Sequence, residues 1–286
     1  MVQDSGAALI RQMDALAVPP GSLAIWGLGQ MGVALKGGDG GLVYIDPCLS
    51  DVVAERVPAL ADKFQRAYPP PVLPAQITNA ALVLCSHEHL DHCDPLTLGP
   101  LAQASPQARF VISGWAEGVL DEAGISLERR HVLSAGVPVQ FGPLSVTVVP
   151  SAHYQVEHDP ARGHRWLGFL IQWNGVTFFH SGDTVIYDGY VELLRGLPRT
   201  DVAMVAANGR DAYRDSFGVT GNLLPAEAAW LAAQLGWDTL IGGHNDLYPW
   251  NTIGAGELAV AVQRINPRQK LHTLQPGELL FYHRMD

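Results

Sequence analysis

Ser86-His87-Glu88-His89-Leu90-Asp91-His92 gathers three imidazoles and a carboxylate directly after the apolar run Ala81–Cys85. In an extended segment alternate side chains point the same way, so His87, His89 and Asp91 converge on one side. His92 falls where the chain turns toward Asp94-Pro95 and faces a second position. Neutral imidazole and carboxylate are the ligand types of Zn²⁺, Mn²⁺ or Fe²⁺. A merely polar loop is a poor explanation of this density of ligands immediately behind a strand.

Further ligand types stand in similar places. His153 follows the strand ending at Val149-Pro150, Asp183 sits in His180-Ser181-Gly182-Asp183-Thr184 after Val176–Phe179, and His244 sits in Gly242-Gly243-His244-Asn245-Asp246 after Thr239–Ile241. A rigid sheet holds strand-end loops with precision, which is why functional residues gather there. Asn208-Gly209-Arg210-Asp211 also follows a strand, Val202–Ala206. Arg210 could fork onto a phosphate or carboxylate, with Arg214 one helical turn on. The competing reading is a surface ion pair with Asp211 or Asp215. His180 and Tyr154 flank expected ligands, either to donate to a leaving group or to brace the ligands by hydrogen bonds. Tyr248, Trp250 and Asn251 line the pocket or simply pack.

The elements that must position these groups can be read from pattern. Ala8, Leu9, Met13 and Leu16 share one helical face, predicting a helix over 5–17 that Pro19-Pro20-Gly21 stops. Strands are expected at Leu23–Trp26, Val33–Lys36, Leu42–Ile45, Ala81–Cys85, Phe110–Ile112, Leu144–Val149, Leu167–Trp173, Val176–His180, Val202–Ala206 and Thr239–Ile241. Asp94-Pro95 opens a helix, with Asp as cap and Pro in the first turn. Residues 225–235 read as a helix closed by Gly236, and 256–265 as another ended by Pro267. Hairpins first, then strands alternating with helices, predict one mixed α/β domain over residues 1–286.

Gly27-Leu28-Gly29-Gln30-Met31-Gly32 fits G-x-G-x-x-G, with Asp46 beyond it as a candidate ribose contact. That motif must open a helix inside a crossover of at least about 10–12 residues. Only Val33-Ala34-Leu35-Lys36 separates Gly32 from Gly37, so the segment is a hairpin turn and a nicotinamide dehydrogenase is rejected. No G-x-S-x-G elbow supports a serine hydrolase. Cys85 reads as core and Cys93 as packing beside His92.

Composition narrows the function classes. The 286 residues are 48% hydrophobic and 16% charged, which suits a folded chain. Net charge is −10, which argues against nucleic acid as a partner. Three cysteines are too few for a disulfide framework and suggest a reducing compartment. With no signal peptide pattern and no apolar run of about 20 residues, a cytosolic location away from membrane is expected.

The set His87, His89, Asp91, His92, His153, Asp183 and His244 resembles the metallo-β-lactamase superfamily, from Trp26 to about Tyr282. Within it, Pro20-Gly21-Ser22-Leu23-Ala24-Ile25-Trp26, His180-Ser181-Gly182-Asp183 and His244-Asn245-Asp246 are similar to L-ascorbate 6-phosphate lactonase-like hydrolases. The resemblance implies a four-layer αββα sandwich with two divalent ions, Zn²⁺ or Mn²⁺, at one edge of the sheets. It implies one ion on His87, His89 and His153, the other on Asp91, His92 and His244, and Asp183 between them. Asp46 matches an acidic position that braces the ligand loop. Those lactonases carry an Asp where this chain has His153, and the imidazole-rich set shifts preference toward Zn²⁺.

The expected chemistry follows. Two ions sharing a water lower its pKa from about 15.7 toward about 7, giving a metal-bridging hydroxide without a protein nucleophile. Asp91 or Asp183 orients it and passes its proton to the leaving alkoxide. The expected substrate is a lactone or ester of a small anionic molecule, such as a phosphorylated sugar, contacted by Arg210, Asn208 and Tyr154. A phosphodiesterase or other ester hydrolase is the alternative. A non-catalytic metal protein is disfavoured because structural zinc shells are usually closed and rich in Cys. A homo-oligomer is left open.

Overall fold

The computed structural model describes residues 3–39, 41–254 and 256–284. Two seven-stranded sheets face each other. The first contains β1 (Ser22–Gly29), β2 (Gly32–Lys36), β3 (Leu42–Ile45), β4 (Ala80–Cys85), β5 (Arg109–Ile112) and β6 (Arg130–Val132). The second contains β7 (Pro138–Phe141) and β8 (Leu144–Pro150), then, past a two-stranded ribbon of β9 (His158–Asp159) and β10 (Gly163–His164), β11 (Leu167–Trp173), β12 (Val176–His180), β13 (Val202–Ala206), β14 (Thr239–Gly243) and β15 (Lys270–His272). The last strand, β16 (Leu279–His283), returns to the first sheet beside β1.

Both faces of each sheet are covered at its centre, so the central strands are largely apolar rather than alternating with polar residues. In β1, Leu23 and Ile25 enter the core between the sheets, while Ala24, Trp26 and Leu28 pack outward against the helices Gln3–Ala15 and Pro95–Ala104. In β12, Val176 and Phe178 point inward and Phe179 outward, toward the helices Tyr190–Arg195, Pro225–Leu235 and Glu257–Ile265. Each of the Leu, Ile, Val and Phe side chains among them contributes roughly 1.5–3 kcal/mol by leaving water. Helix, sheet, sheet and helix form the expected αββα sandwich.

The N-terminal helix runs Gln3–Ala15, ending earlier than expected. Asp94 caps the helix Pro95–Ala104 by accepting from the Leu96 and Thr97 amides. Gly236, at φ +63°, closes Pro225–Leu235. Gly27–Gly32 is a hairpin turn between antiparallel β1 and β2, which rules out the dinucleotide loop. The short edge strands β6, β7, β15 and β16 were not expected, nor were the short helices Val52–Arg56, Glu117–Glu122 and Ala212–Asp215. Among the described residues no helix is long and apolar enough to cross a membrane.

Strand direction positions the chemistry. β12, β13 and β14 are mutually parallel, and β8 runs with them because β11 is antiparallel to both β8 and β12. Their C-terminal ends therefore lie side by side, carrying His153, Asp183, Asn208 and His244. In the other sheet parallel β3 and β4 end at Asp46 and Ser86, and the Leu167 amide donates to the Ser86 carbonyl at 3.1 Å, tying the two edges together.

Candidate metal centre

The expected ligands converge. Donor atoms of His87, His92 and Asp183 lie within 4.8 Å of one another, as do those of Asp91, His92 and His244. The second group is the one expected from the resemblance. In the first, His92 and Asp183 stand nearest His87, while His89 and His153 adjoin through their rings, at 4.6 and 6.0 Å from His87 between centroids and 5.3 Å from each other. Asp183 lies centrally: its Oδ1 is 3.3 Å from His92 Nε2, and its Oδ2 is 3.4 Å from His244 Nε2 and 3.7 Å from His153 Nε2.

Asp46 organises two of these imidazoles. It is fully buried, with φ +45°, a backbone region that Asp and Asn tolerate better than most residues. Oδ1 accepts the Ser86 amide at 2.7 Å, and Oδ2 accepts the Ser86 hydroxyl at 2.6 Å and His92 Nδ1–H at 2.8 Å. Because the Ser86 hydroxyl donates to Asp46, its oxygen accepts His87 Nδ1–H at 2.9 Å. Both rings then hold a proton on Nδ1 and turn Nε2 inward, and on neutral His87 that nitrogen is a bare lone pair. These nitrogens have no hydrogen-bond partner although they are buried, and neither has Asp183 Oδ1. Buried polar atoms are normally paired. Orphaned lone pairs of imidazole and carboxylate that converge in this way fit a divalent cation.

Electrostatics in the ion-free protein agree. Burial drives the His87 imidazole well below its ordinary range and lowers His153 to about 4, keeping both neutral. Burial also acts on His92 and His244, but the Asp183 and Asp91 carboxylates outweigh it, raising His92 well above its usual value and His244 to about 9. Burial pushes Asp91 and Asp183 up, yet His92 and His244 hold both carboxyls far below the carboxylate range. The cluster sets charged His92 and His244 against two carboxylates, beside the neutral imidazoles of His87 and His153.

Other expected residues fall elsewhere. His180 donates from Nε2 to the Met31 carbonyl at 2.8 Å, and its Nδ1 accepts the Gly182 amide at 3.2 Å. Both nitrogens are committed, so it braces the turn before Asp183 and has no proton to give a leaving group. Gly182, at φ +56°, sits where a Cβ would collide with the Leu167 carbonyl. Arg210 makes a bidentate pair with Glu227 at 2.6 and 2.7 Å, not with Asp211 or Asp215, and does not line the cavity. Asn208 is spent on Asn251 and Asn222, and Arg214 on Asp211, Asn208 and Asn251. The Tyr154 hydroxyl donates to Asp215 at 2.7 Å, outside the cavity.

The cavity over the cluster holds about 340 Å³, with His89, Asp91, His153, Asp183 and His244 on its floor. Phe64 and Val219 form an apolar wall, and Arg165, Glu157 and Trp166 a polar one. Gln30, at the tip of the expected hairpin turn, donates to Asp91 Oδ2 at 2.9 Å and takes the His244 amide on its carbonyl at 2.9 Å. Its signal was its place at a strand end, the criterion that found the ligands.

Residues 42–245 match the family model described as "Beta-lactamase superfamily domain". A UPF0173 metal-dependent hydrolase of Sulfurisphaera tokodaii is 24% identical over 217 residues, 73% of this chain and 85% of that protein. Igni18, a metallo hydrolase of Ignicoccus hospitalis, superposes with a TM-score of 0.65 at 18% identity, covering 92% of this chain and all of that one. An isothiocyanate hydrolase from Delia radicum gut bacteria superposes with a TM-score of 0.66 at 17% identity, covering 91% of this chain and 100% of its own. These two likenesses concern the fold.

Proposed function

We propose, from the premise that this chain belongs to the β-lactamase superfamily, that it is a metal-dependent hydrolase of small lactones or esters. The observation that supports this most is the convergence of the buried, hydrogen-bond-free Nε2 atoms of His87 and His92 with the Asp183 carboxylate beneath an open cavity. His87, His89 and His153 would hold one Zn²⁺ or Mn²⁺, Asp91, His92 and His244 the other, and Asp183 would reach both. Bound there, the ions supply Lewis acidity and a water acidic enough to ionise near neutral pH.

The chain's own residues do the rest. Asp91, held by Gln30 Nε2–H, faces the cavity and is the group placed to take a proton from the attacking water and return it to the leaving oxygen. His87 and His92 stay in one tautomer through Ser86 and Asp46. Phe64 and Val219 hold the apolar part of the substrate and exclude water. The cavity lies at the small end of ligand sites, roughly 300–1,000 Å³, which suits a sugar-sized molecule. Attraction for an anionic substrate would come from the ions, since Arg210 is paired with Glu227 and Arg165 with Glu88 and Glu157.

Chelator-stripped protein, reloaded with Zn²⁺ or Mn²⁺, should open a sugar lactone faster than it cleaves bis(p-nitrophenyl) phosphate. Preference for the diester would assign it as a phosphodiesterase. No turnover of either by the reloaded protein would sink the reading.

A further inference from the structure

Arg165 and Trp166 occupy the polar loop after β10, a stretch with no sequence motif, yet they are the best-anchored residues of the cavity wall. Arg165 donates from Nε to Glu88 Oε1 at 2.6 Å and from Nη1 to Glu157 Oε2 at 3.0 Å. Its guanidinium lies 4.4 Å from the Trp166 ring centroid and 5.3 Å from that of Trp115. Glu88 is the residue between His87 and His89, so the clamp grips the ligand loop itself.

Trp166 is almost fully buried, and its ring centroid stands 5.0 Å from His87, 5.1 Å from His89 and 5.0 Å from His153, edge to face with each. The backbone repeats the pattern. The Trp166 carbonyl accepts the Ser151 amide, the Leu167 amide donates to Ser86, and the Arg165 amide donates to Glu157. Ser86 precedes His87, and Ser151 lies just before His153. No ring contact joins Trp166 to His92 or His244, which stack on each other at 5.5 Å.

We propose that Arg165, clamped between Glu88 and Glu157, is a positioning residue that holds Trp166 across His87, His89 and His153, so that this pair sets the affinity of one ion position independently of the other. The inference rests on the two-ion reading above. A rotating imidazole loses its lone-pair direction, and the indole, held against the guanidinium and set edge to face with each imidazole, restrains that rotation for three rings at once. Residues that orient ligands in this way typically change metal affinity by about 10–100-fold when removed.

The test is a Co²⁺ titration of the chelator-stripped full chain, followed by visible absorption, for wild type, Trp166→Ala, Trp166→Phe and Arg165→Gln. Wild type should take two ions. Trp166→Ala should weaken one step by roughly 10–100-fold and leave the other within about threefold. Arg165→Gln should weaken the same step less, and Trp166→Phe should restore most of it, because a ring still fills the gap. Both steps weakening together, or neither changing, would overturn the proposal. A wild type that takes fewer than two ions would instead overturn the two-ion reading. Should Trp166→Ala fail to fold, Arg165→Gln decides alone, and unchanged binding in it refutes the inference.

Discussion

Replacing Asp46 with Asn removes one charge and one acceptor at a position where the backbone, at φ +45°, accepts either residue. The Ser86 amide can only donate, so the Asn carbonyl must stay on it, and the new NH₂ must face the Ser86 oxygen and His92 Nδ1. Nδ1 of His92 then has to accept, moving its proton to Nε2. Ser86 turns its own proton toward His87 Nδ1, and that ring follows. Both imidazoles now direct N–H groups at the ion positions. Each mis-set ring should cost about one to two orders of magnitude in affinity, roughly 1.4–2.7 kcal/mol. Exchanging charge-assisted hydrogen bonds for neutral ones should also cost the ion-free fold about 1–3 kcal/mol. Zn²⁺ titration against a competing chelator reads the first effect, and urea unfolding of stripped protein the second. Wild-type ion affinity in Asp46→Asn would refute the tautomer argument.

Asp183→Ala should remove both ions and all turnover, and two ions retained per chain would contradict its central place. Arg210→Ala should lower stability by about 1 kcal/mol while KM hardly changes, because the guanidinium holds Glu227 at the start of the helix Pro225–Leu235; a large rise in KM for anionic substrates alone would return Arg210 to the substrate. Stripped protein should be most stable near neutral pH. His153, lowered to about 4 by burial, withdraws its support as pH falls below the unfolded value of about 6.5. His244, raised to about 9 by Asp183 and Asp91 against burial, withdraws its support as pH climbs toward 9. Loading with Zn²⁺ at neutral pH should therefore release protons, seen as a binding enthalpy that depends on the buffer, and buffer-independent heat would argue against it.

The ligands were legible because each obeys one physical rule, a chelating side chain just beyond an apolar strand. Central strands such as β11 and β12 were legible for the same reason: both faces are buried, so the run is unbroken. β6 and β15 were not, because they are three residues long at sheet edges and carry charged or His side chains. Arg210 was misleading because its partner, Glu227, stands 17 residues on in the helix Pro225–Leu235, where its carboxylate also takes the Leu224 amide at 2.9 Å. No local pattern announces such a pairing. Arg165 and Trp166 escaped notice because their importance lies in packing against residues far along the chain. Gln30 carries no chelating group, and its reach to Asp91 and His244 depends on the β1–β2 turn meeting the edge of the other sheet, a contact that no local pattern encodes.

His180 belongs to β12 of one sheet yet bonds the Met31 carbonyl at the turn of the other. It acts as a rivet through the sandwich. Sliding one layer past the other would break that bond, worth about 0.5–1.5 kcal/mol, along with the apolar packing between the sheets. Phe64 and Val219 line the cavity from loops outside that frame, so exchanging those loops could retune the chain for a different clientele while the riveted frame stays as it is.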